Sequence, residues 1–387
     1  MTDILPIEKG PSPYYTEEHA ELRTMVRRFV EAEIRPHADA WDEAEEFPRE
    51  LYRKAGAAGL LGIGFPEEYG GAGGDWFHRV VLADEIANGR VGGVPASLFS
   101  LHIGVPPILA LASEALKRRL VPAILAGEKI SALAITEPSG GSDVARMKTS
   151  ARRDGDSYVI NGSKTFITSG VRADVVTVAV RTGGQGMGGI SLLVVEGDTP
   201  GFSRTPLKKM GWWCSDTATL YFDDCRVPAA NLLGEENRGF AGVMRNFNSE
   251  RLGLAAQCYG FGRVCYEDAL AYARERETFG KRLADHQVIR HKLVDMATRL
   301  ESLKAYLDLC AYQMNVGDAS PASLGMLKNV ATGTLEFCAK EGVQIFGGAG
   351  YLRGASVERI YRETKVLSIG GGAEEIMKDL AARQMGI

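Results

Sequence analysis

The periodicity of apolar residues changes twice along this chain, near Lys129 and again near Gly239, and one layer of structure cannot satisfy both changes. Before 129 the spacing is helical. Leu22, Met25, Val26, Phe29 and Val30 follow a cap-like Thr16 with Glu17 and Glu18. Residues 48–58, 79–87, 95–112 and 113–125 predict further helices, and the Pro/Gly-rich 65–74 predicts a loop. From 129 the runs at 131–135, 158–162, 175–181, 190–196 and 218–227 are short and rich in Val, Ile, Thr, Tyr and Phe, which predicts strands. Beyond 239, long helical patterns cover 244–272, 287–316 and 320–341. Glycine breaks follow at 347–350 and 370–372, and a last helix begins near Ala373. The expected fold is α+β and mostly helical. It has an N-terminal helical domain (1–128), a middle antiparallel β domain (129–238) and a C-terminal four-helix bundle (239–387).

Several function classes are disfavoured. The net charge of −4 is spread without runs of one sign, unlike the basic face of a nucleic-acid binder. No uninterrupted apolar run approaches ~18 residues, so no membrane span is expected. The first residues carry Asp3 and Glu8 rather than a basic-then-apolar leader, and the expected location is cytoplasmic. None of the six cysteines forms CxxC, and His286 and His291 are five apart, the wrong spacing for one helix face. Reduced, buried thiols and no metal are expected. Residues 184–189 spell GxGxxG, but a strand pattern follows where a dinucleotide-binding turn needs a helix, so this is read as a loop between strands.

Two stretches carry most information: Ala134-Ile-Thr-Glu-Pro-Ser-Gly-Gly-Ser-Asp-Val144 and Gln344-Ile-Phe-Gly-Gly-Ala-Gly-Tyr351. Between them stand Asn161-Gly-Ser-Lys-Thr-Phe-Ile-Thr168, Ser215-Asp-Thr, Arg276-Glu-Thr-Phe-Gly280 and His286-Gln287. In type and order these resemble the acyl-CoA dehydrogenase family from about Glu17 to Ala382. The resemblance implies FAD as cofactor and a thioester whose Cα loses a proton while flavin N5 accepts the Cβ hydride. It implies an acyl-CoA substrate, an electron-transferring flavoprotein as electron acceptor and a homotetramer. By the same resemblance Leu133, Ile135, Thr136, Gly141, Ser142, Phe166, Ile167 and Thr168 serve the flavin side. Arg276, Phe279, Gln287, Gln344 and Gly348 reach the adenosine half across a subunit interface. Ala373 and Glu375 stand where the family usually has Thr and Gln near FAD. Phe99 aligns with the floor of the acyl pocket.

The base departs from the family's commoner pattern. Many members carry a Glu just before the last helix; here that position is Gly371, which has no proton acceptor on its side chain. Either the chemistry is lost or the carboxylate comes from elsewhere. Phe247-Asn-Ser-Glu-Arg-Leu252 resembles the isovaleryl- and long-chain-type branches, where the base precedes an Arg on a bundle helix. That makes Glu250 the expected base, with Phe247, Asn248, Arg251, Ser142 and the Gly371 amide on the substrate. A buried Glu facing an acyl chain should have a raised pKa. The alternatives are a flavin acyl-CoA oxidase and a non-catalytic acyl-CoA-binding relative.

Overall fold

The computed structural model describes residues 12–387, apart from the side chains of 241 and 243–246. Eight α-helices build the N-terminal lobe among the described residues: α1 (Glu17–Glu33), α2 (Ala38–Ala44), α3 (Glu50–Ala57), α4 (Trp76–Ile86), α5 (Gly93–Leu98), α6 (Leu101–Gly104), α7 (Pro106–Leu111) and α8 (Glu114–Leu125). The expected single helix over 95–112 is thus broken into three. Gly93–Leu111 has a membrane span's length and hydropathy, yet Leu98, Leu101, Val105 and Ile108 are buried in the lobe's core.

Helices α1 and α4 start alike, each with a histidine at the third helical position reaching back to its cap residue, Thr16 or Asp75. The two rings lie 4.1 Å apart, and Asp75 approaches both His19 Nε2 (3.4 Å) and His78 Nδ1 (2.7 Å). The fold therefore gathers His19, Asp75 and His78 where the sequence spacing showed only scattered histidines. Two helix N-termini point at this cluster and disfavour extra positive charge there.

The middle lobe contains β1 (Ser131–Ala134), β2 (Ser150–Asp154), β3 (Ser157–Thr168), β4 (Val175–Arg181), β5 (Ile190–Glu196), β6 (Phe202–Pro206), β7 (Thr217–Pro228) and β8 (Leu232–Leu233). They form one sheet, ordered β6-β7-β3-β2-β4-β5-β8, with β1 beside β4. Most pairs are antiparallel, but β1 runs parallel to β4, with Ser131 opposite Val175. The near-continuous apolar runs of β4 and β5 have a physical cause. Val175, Ala179, Leu192 and Val194 face the N-terminal lobe's core, while Val176, Val178, Leu193 and Val195 face the sheet's own core. Sequence reading missed β2 and β6 because Ser-Ala-Arg-Arg-Asp and Phe-Ser-Arg-Thr-Pro are largely solvated and lack that signal. Residues 184–189 join β4 to β5 without a helix of the kind a dinucleotide turn requires.

The C-terminal lobe has α9 (Gly239–Glu275), a small hairpin of β9 (Glu277–Thr278) and β10 (Lys281–Arg282), α10 (Gln287–Asn315), α11 (Pro321–Phe346), α12 (Ser356–Ile369) and α13 (Glu374–Met385). Helix α11 is the hub, packing on α9, α10, α12 and α13. Sequence reading missed α12 because charged residues occupy its inner face. Arg359 and Glu363 are buried: Arg359 Nε reaches Asp42 Oδ2 (3.2 Å), and the Gly92 N–H donates to Glu363 (2.8 Å). All six cysteines are buried and unpaired.

Asp84 on α4 fastens the lobes together. It accepts from Arg263 Nε of α9 (2.9 Å) and Arg23 of α1 (2.8 Å), and it is itself buried. Removing one member of a buried ion cluster strands the other charges. Asp84→Asn is therefore expected to cost on the order of 3 kcal/mol in denaturant unfolding. Glu267→Gln, at a more exposed partner of Arg263, should cost under about 1 kcal/mol. Equal losses would contradict the assignment of Asp84 as the lobe fastener.

Candidate active site

The Thr136-Glu137-Pro138 loop is shaped by a buried charge. Glu137 accepts backbone N–H groups from Lys148 (2.7 Å) and Thr149 (2.8 Å), and the Lys164 ammonium donates at 2.8 Å. Lys164 is 0% exposed and also donates to the Ile135 carbonyl (3.0 Å). Burial works to raise the Glu137 carboxyl, but Lys164 and the N–H donors overcome it and hold the group down at about 2. Burial in turn pulls Lys164 down to about 8. This knot pins the loop from below, and Thr165 N–H ties β3 to the Thr136 carbonyl (2.9 Å). Gly141 and Ser142 are left exposed above it. A Cβ on Gly141 would lie 3.4 Å from the Thr136 methyl, so glycine leaves the peptide bare beside Thr136.

Strand β3 then slips register between Lys164 and Ile167. At the slip Phe166 adopts φ 60° and its side chain is 69% exposed. An aromatic residue held in left-handed backbone with its ring in water is costly unless something packs on it. Ile167 and Thr168 resume pairing opposite Ala218 and Thr217. Bare amides, a forced-out ring and the half-buried Thr168 fit a flavin and its phosphates. Leu133 and Thr136 are half-buried on the same side of the sequence motif, whereas the Ile135 and Ile167 side chains are buried, leaving their backbone for contact. Of the serines behind this edge, sequence reading singled out Ser215 and missed Ser97, Ser100 and Ser169. Ser169 Oγ donates to Ser100 Oγ (3.0 Å), and Ser97 pairs with Ser215 (2.8 Å), tying α5 and α6 to the strand end.

Arg276, Phe279, Gln287, Gln344 and Gly348 gather elsewhere. Tyr272 and Phe346 stack at 4.3 Å, bringing the ends of α9 and α11 together with the β9–β10 hairpin. All five residues are exposed there, Phe279 at 97% with φ 54°. From 250 to 276 the chain runs along α9, about 39 Å at 1.5 Å per residue. One chain therefore does not bring this group to Glu250.

Glu250 lies on α9 opposite the turn between α12 and α13. Gly371 sits in that turn with φ 66°. A Cβ there would stand 3.6 Å from Glu250 Oε1 and 2.5 Å from Leu254 Cδ1. The Glu250 carboxyl thus occupies the space into which a side chain at 371 would project. Burial raises its pKa to about 7, against the opposing pull of Arg251 and Lys328. Arg251 is buried, donates to Asn248 Oδ1 (3.1 Å) and keeps a buried Nε without a partner among the described residues. Its guanidinium lies 6.0 Å from the Phe247 ring, and Phe247, Phe99 and Leu133 pack against one apolar core. Ala373 caps α13 without a side-chain bond, and Glu375 is exposed in its first turn. Sequence reading also missed Lys328, whose Nζ donates to the Gly372 carbonyl (2.7 Å); the signal was a lone lysine in the apolar register of Leu324, Leu327 and Ala331.

Comparison with known proteins follows the same three lobes. The family profile for the acyl-CoA dehydrogenase N-terminal domain matches residues 16–128, that for the middle domain 132–225 and that for the C-terminal domain 237–386. The long-chain specific acyl-CoA dehydrogenase of Sus scrofa mitochondria is 38% identical over 389 aligned positions, covering 100% of this chain and 89% of that protein. A crystal structure of a putative acyl-CoA dehydrogenase from Mycobacterium smegmatis superposes with TM-score 0.95 and 48% identity, covering 97% and 99% of the two chains. A glutaryl-CoA dehydrogenase from the same organism, solved in complex with FADH2, superposes with TM-score 0.90 at 27% identity, covering 96% and 95%.

Lys164→Met should strand Glu137 and loosen the loop beneath the exposed Gly141 and Ser142. The expected result is FAD that dissociates at least about tenfold more readily, read as loss of flavin absorbance on gel filtration. Retention equal to the parent would remove the knot from the account.

Proposed function

This chain belongs to the acyl-CoA dehydrogenase family, and on that premise we propose that Glu250 is the base that takes the α-proton from an acyl-CoA thioester. The enzyme is an FAD-dependent oxidoreductase acting on acyl-CoA. When bound, FAD supplies the acceptor for the hydride that leaves Cβ.

The observation that carries the proposal is the Glu250 carboxyl 3.6 Å from the side-chain locus of Gly371. A carboxylate projecting from either backbone position reaches one volume, so moving it from the turn to α9 preserves the base. Its raised pKa supports that role, because a base near neutrality is both deprotonated and a useful proton acceptor. Gly371 keeps a main-chain N–H, which we assign to the thioester oxygen, where negative charge develops as the proton leaves. Arg251 and Asn248 hold the CoA arm, with Phe247 on the acyl side. Leu133, Thr136, Gly141, Ser142, Phe166 and Thr168 hold the flavin half, through their backbone where the side chain is turned away. We infer that Arg276, Phe279, Gln287, Gln344 and Gly348 of a neighbouring copy hold the adenosine half, so at least two copies share each site, within the homotetramer we propose as the active assembly. Its electrons then pass to an electron-transferring flavoprotein.

The raised pKa has two consequences. In free enzyme kcat/KM should rise about tenfold per pH unit up to about 7 and then level off. Between the unfolded value near 4.5 and the folded value near 7, the folded chain holds a proton that the unfolded chain has lost, so stability falls as pH rises through that window. Glu250→Gln should keep the yellow colour and lose turnover by about 10³-fold. Above pH 7 it should also be more stable than the parent by about 3 kcal/mol, a gain absent below pH 4.5. Unchanged turnover in this variant sinks the proposal.

A further inference from the structure

We propose that Lys328 is a positioning residue for this reaction: from the middle of α11 it holds the 370–372 turn against Glu250 and, beside Arg251, supplies one of the two buried cations that act on the carboxylate. The inference rests on Glu250 being the base.

Lys328 is 0% exposed, and its own helix surrounds it with the buried Leu324, Leu327 and Ala331. A lysine in such a place needs an acceptor and a counter-charge. Its acceptor is the Gly372 carbonyl, 2.7 Å away. The next residue, Asn329, donates to the Glu374 carbonyl at 3.0 Å. Two consecutive side chains of α11 therefore brace the backbone on both sides of Ala373. The turn needs bracing, because Gly371 (φ 66°) and Gly372 (φ 105°) have no side chains to hold them and sit in backbone conformations of low intrinsic preference for other residues. What rests on the turn is the gap beside Glu250: Leu254 Cδ1 and the Glu250 carboxyl converge on Gly371.

Lys328 also bears on charge. Its ionisable neighbours are Glu250, Arg251 and Cys258 from α9 and Glu374 from α13. Burial lowers its pKa, and Cys258 and Glu250 pull it back up. On Glu250 the opposing charges are Arg251 and Lys328. Arg251 is already committed to Asn248. Without Lys328 the carboxyl keeps its burial and loses a cation, so it holds its proton to higher pH. Without the hydrogen bond to Gly372, the turn that presents the Gly371 amide is freed.

The test compares Lys328→Met with Lys328→Arg in FAD-loaded protein. Lys328→Met should move the acid limb of the kcat/KM profile up by about one pH unit, roughly a tenfold loss at pH 6 that shrinks toward pH 9. It should also raise KM. Lys328→Arg should restore the limb. An activity-free reading comes from unfolding: the Glu250→Gln stabilisation, which builds up between pH 4.5 and about 7 in the parent background, should go on building to a pH higher by the same amount in the Lys328→Met background. If Lys328→Met folds poorly, Lys328→Gln carries the same readings. A lowered melting temperature with the acid limb and the unfolding window unmoved overturns the proposal and leaves lysine 328 as mere packing. Full turnover in Glu250→Gln would instead fell the base assignment, whatever Lys328→Met does.

Discussion

Glu250 shares its crevice with the position on the 370–372 turn into which a side chain at 371 would project, its carboxyl 3.6 Å from where that Cβ would stand. Leu254, one helical turn along, takes up the rest of that volume, at 2.5 Å from where a Cβ on Gly371 would stand. A glutamate at 371 would therefore meet both Leu254 and a second carboxylate. The glycine and the bundle glutamate are two halves of one solution: one acid, delivered from α9, to a volume that burial has made poorly hydrated. That partial loss of water lifts the carboxyl to about 7, and Arg251 and Lys328 keep it from rising further.

Holding such a group at the seam of separate lobes requires the lobes to stay in place, and buried ion clusters fix them. Asp84 joins α1 and α4 to α9 through Arg23 and Arg263. Asp42 meets Arg359 and Arg362 of α12, and Glu363 receives the Gly92 N–H. Lys164 and Glu137 do the same work inside the middle lobe. Buried pairs stabilise less than apolar contacts of equal size would, but they penalise any displacement that leaves a charge alone. Geometry rather than net stability is what they secure. The exposed group around Phe279 stands about 39 Å along α9 from Glu250, so under the proposed assembly the same helix would carry one end of one site and the other end of another.

Much of this was legible in the sequence. Periodicity located the three lobes, and the Thr-Glu-Pro stretch and the Glu250–Arg251 pair singled out the residues on which the proposed site rests. What escaped did so for physical reasons. Helix α12 turns Arg359 and Glu363 inward, so its apolar stripe is interrupted by the charges that fasten it. Strands β2 and β6 are mostly solvated and carry no alternation. The 95–112 segment read as one helix, yet it folds as three short ones. The roles of Lys164 and Lys328 depend on partners far away in sequence, a carboxylate and a carbonyl that only the fold brings near. The histidines that meet at Asp75 are 59 positions apart (78 − 19) and could not be paired by spacing.

The proposed removal of the α-proton by Glu250 can be tested separately from everything that follows it. Holoenzyme is incubated anaerobically in D2O with an acyl-CoA and no electron acceptor, and loss of the α-proton signal is followed by NMR. The parent protein is expected to exchange the α-proton for deuterium, while Glu250→Gln binds the same acyl-CoA and leaves the signal intact. Exchange at the parental rate in that variant would contradict Glu250 as the base.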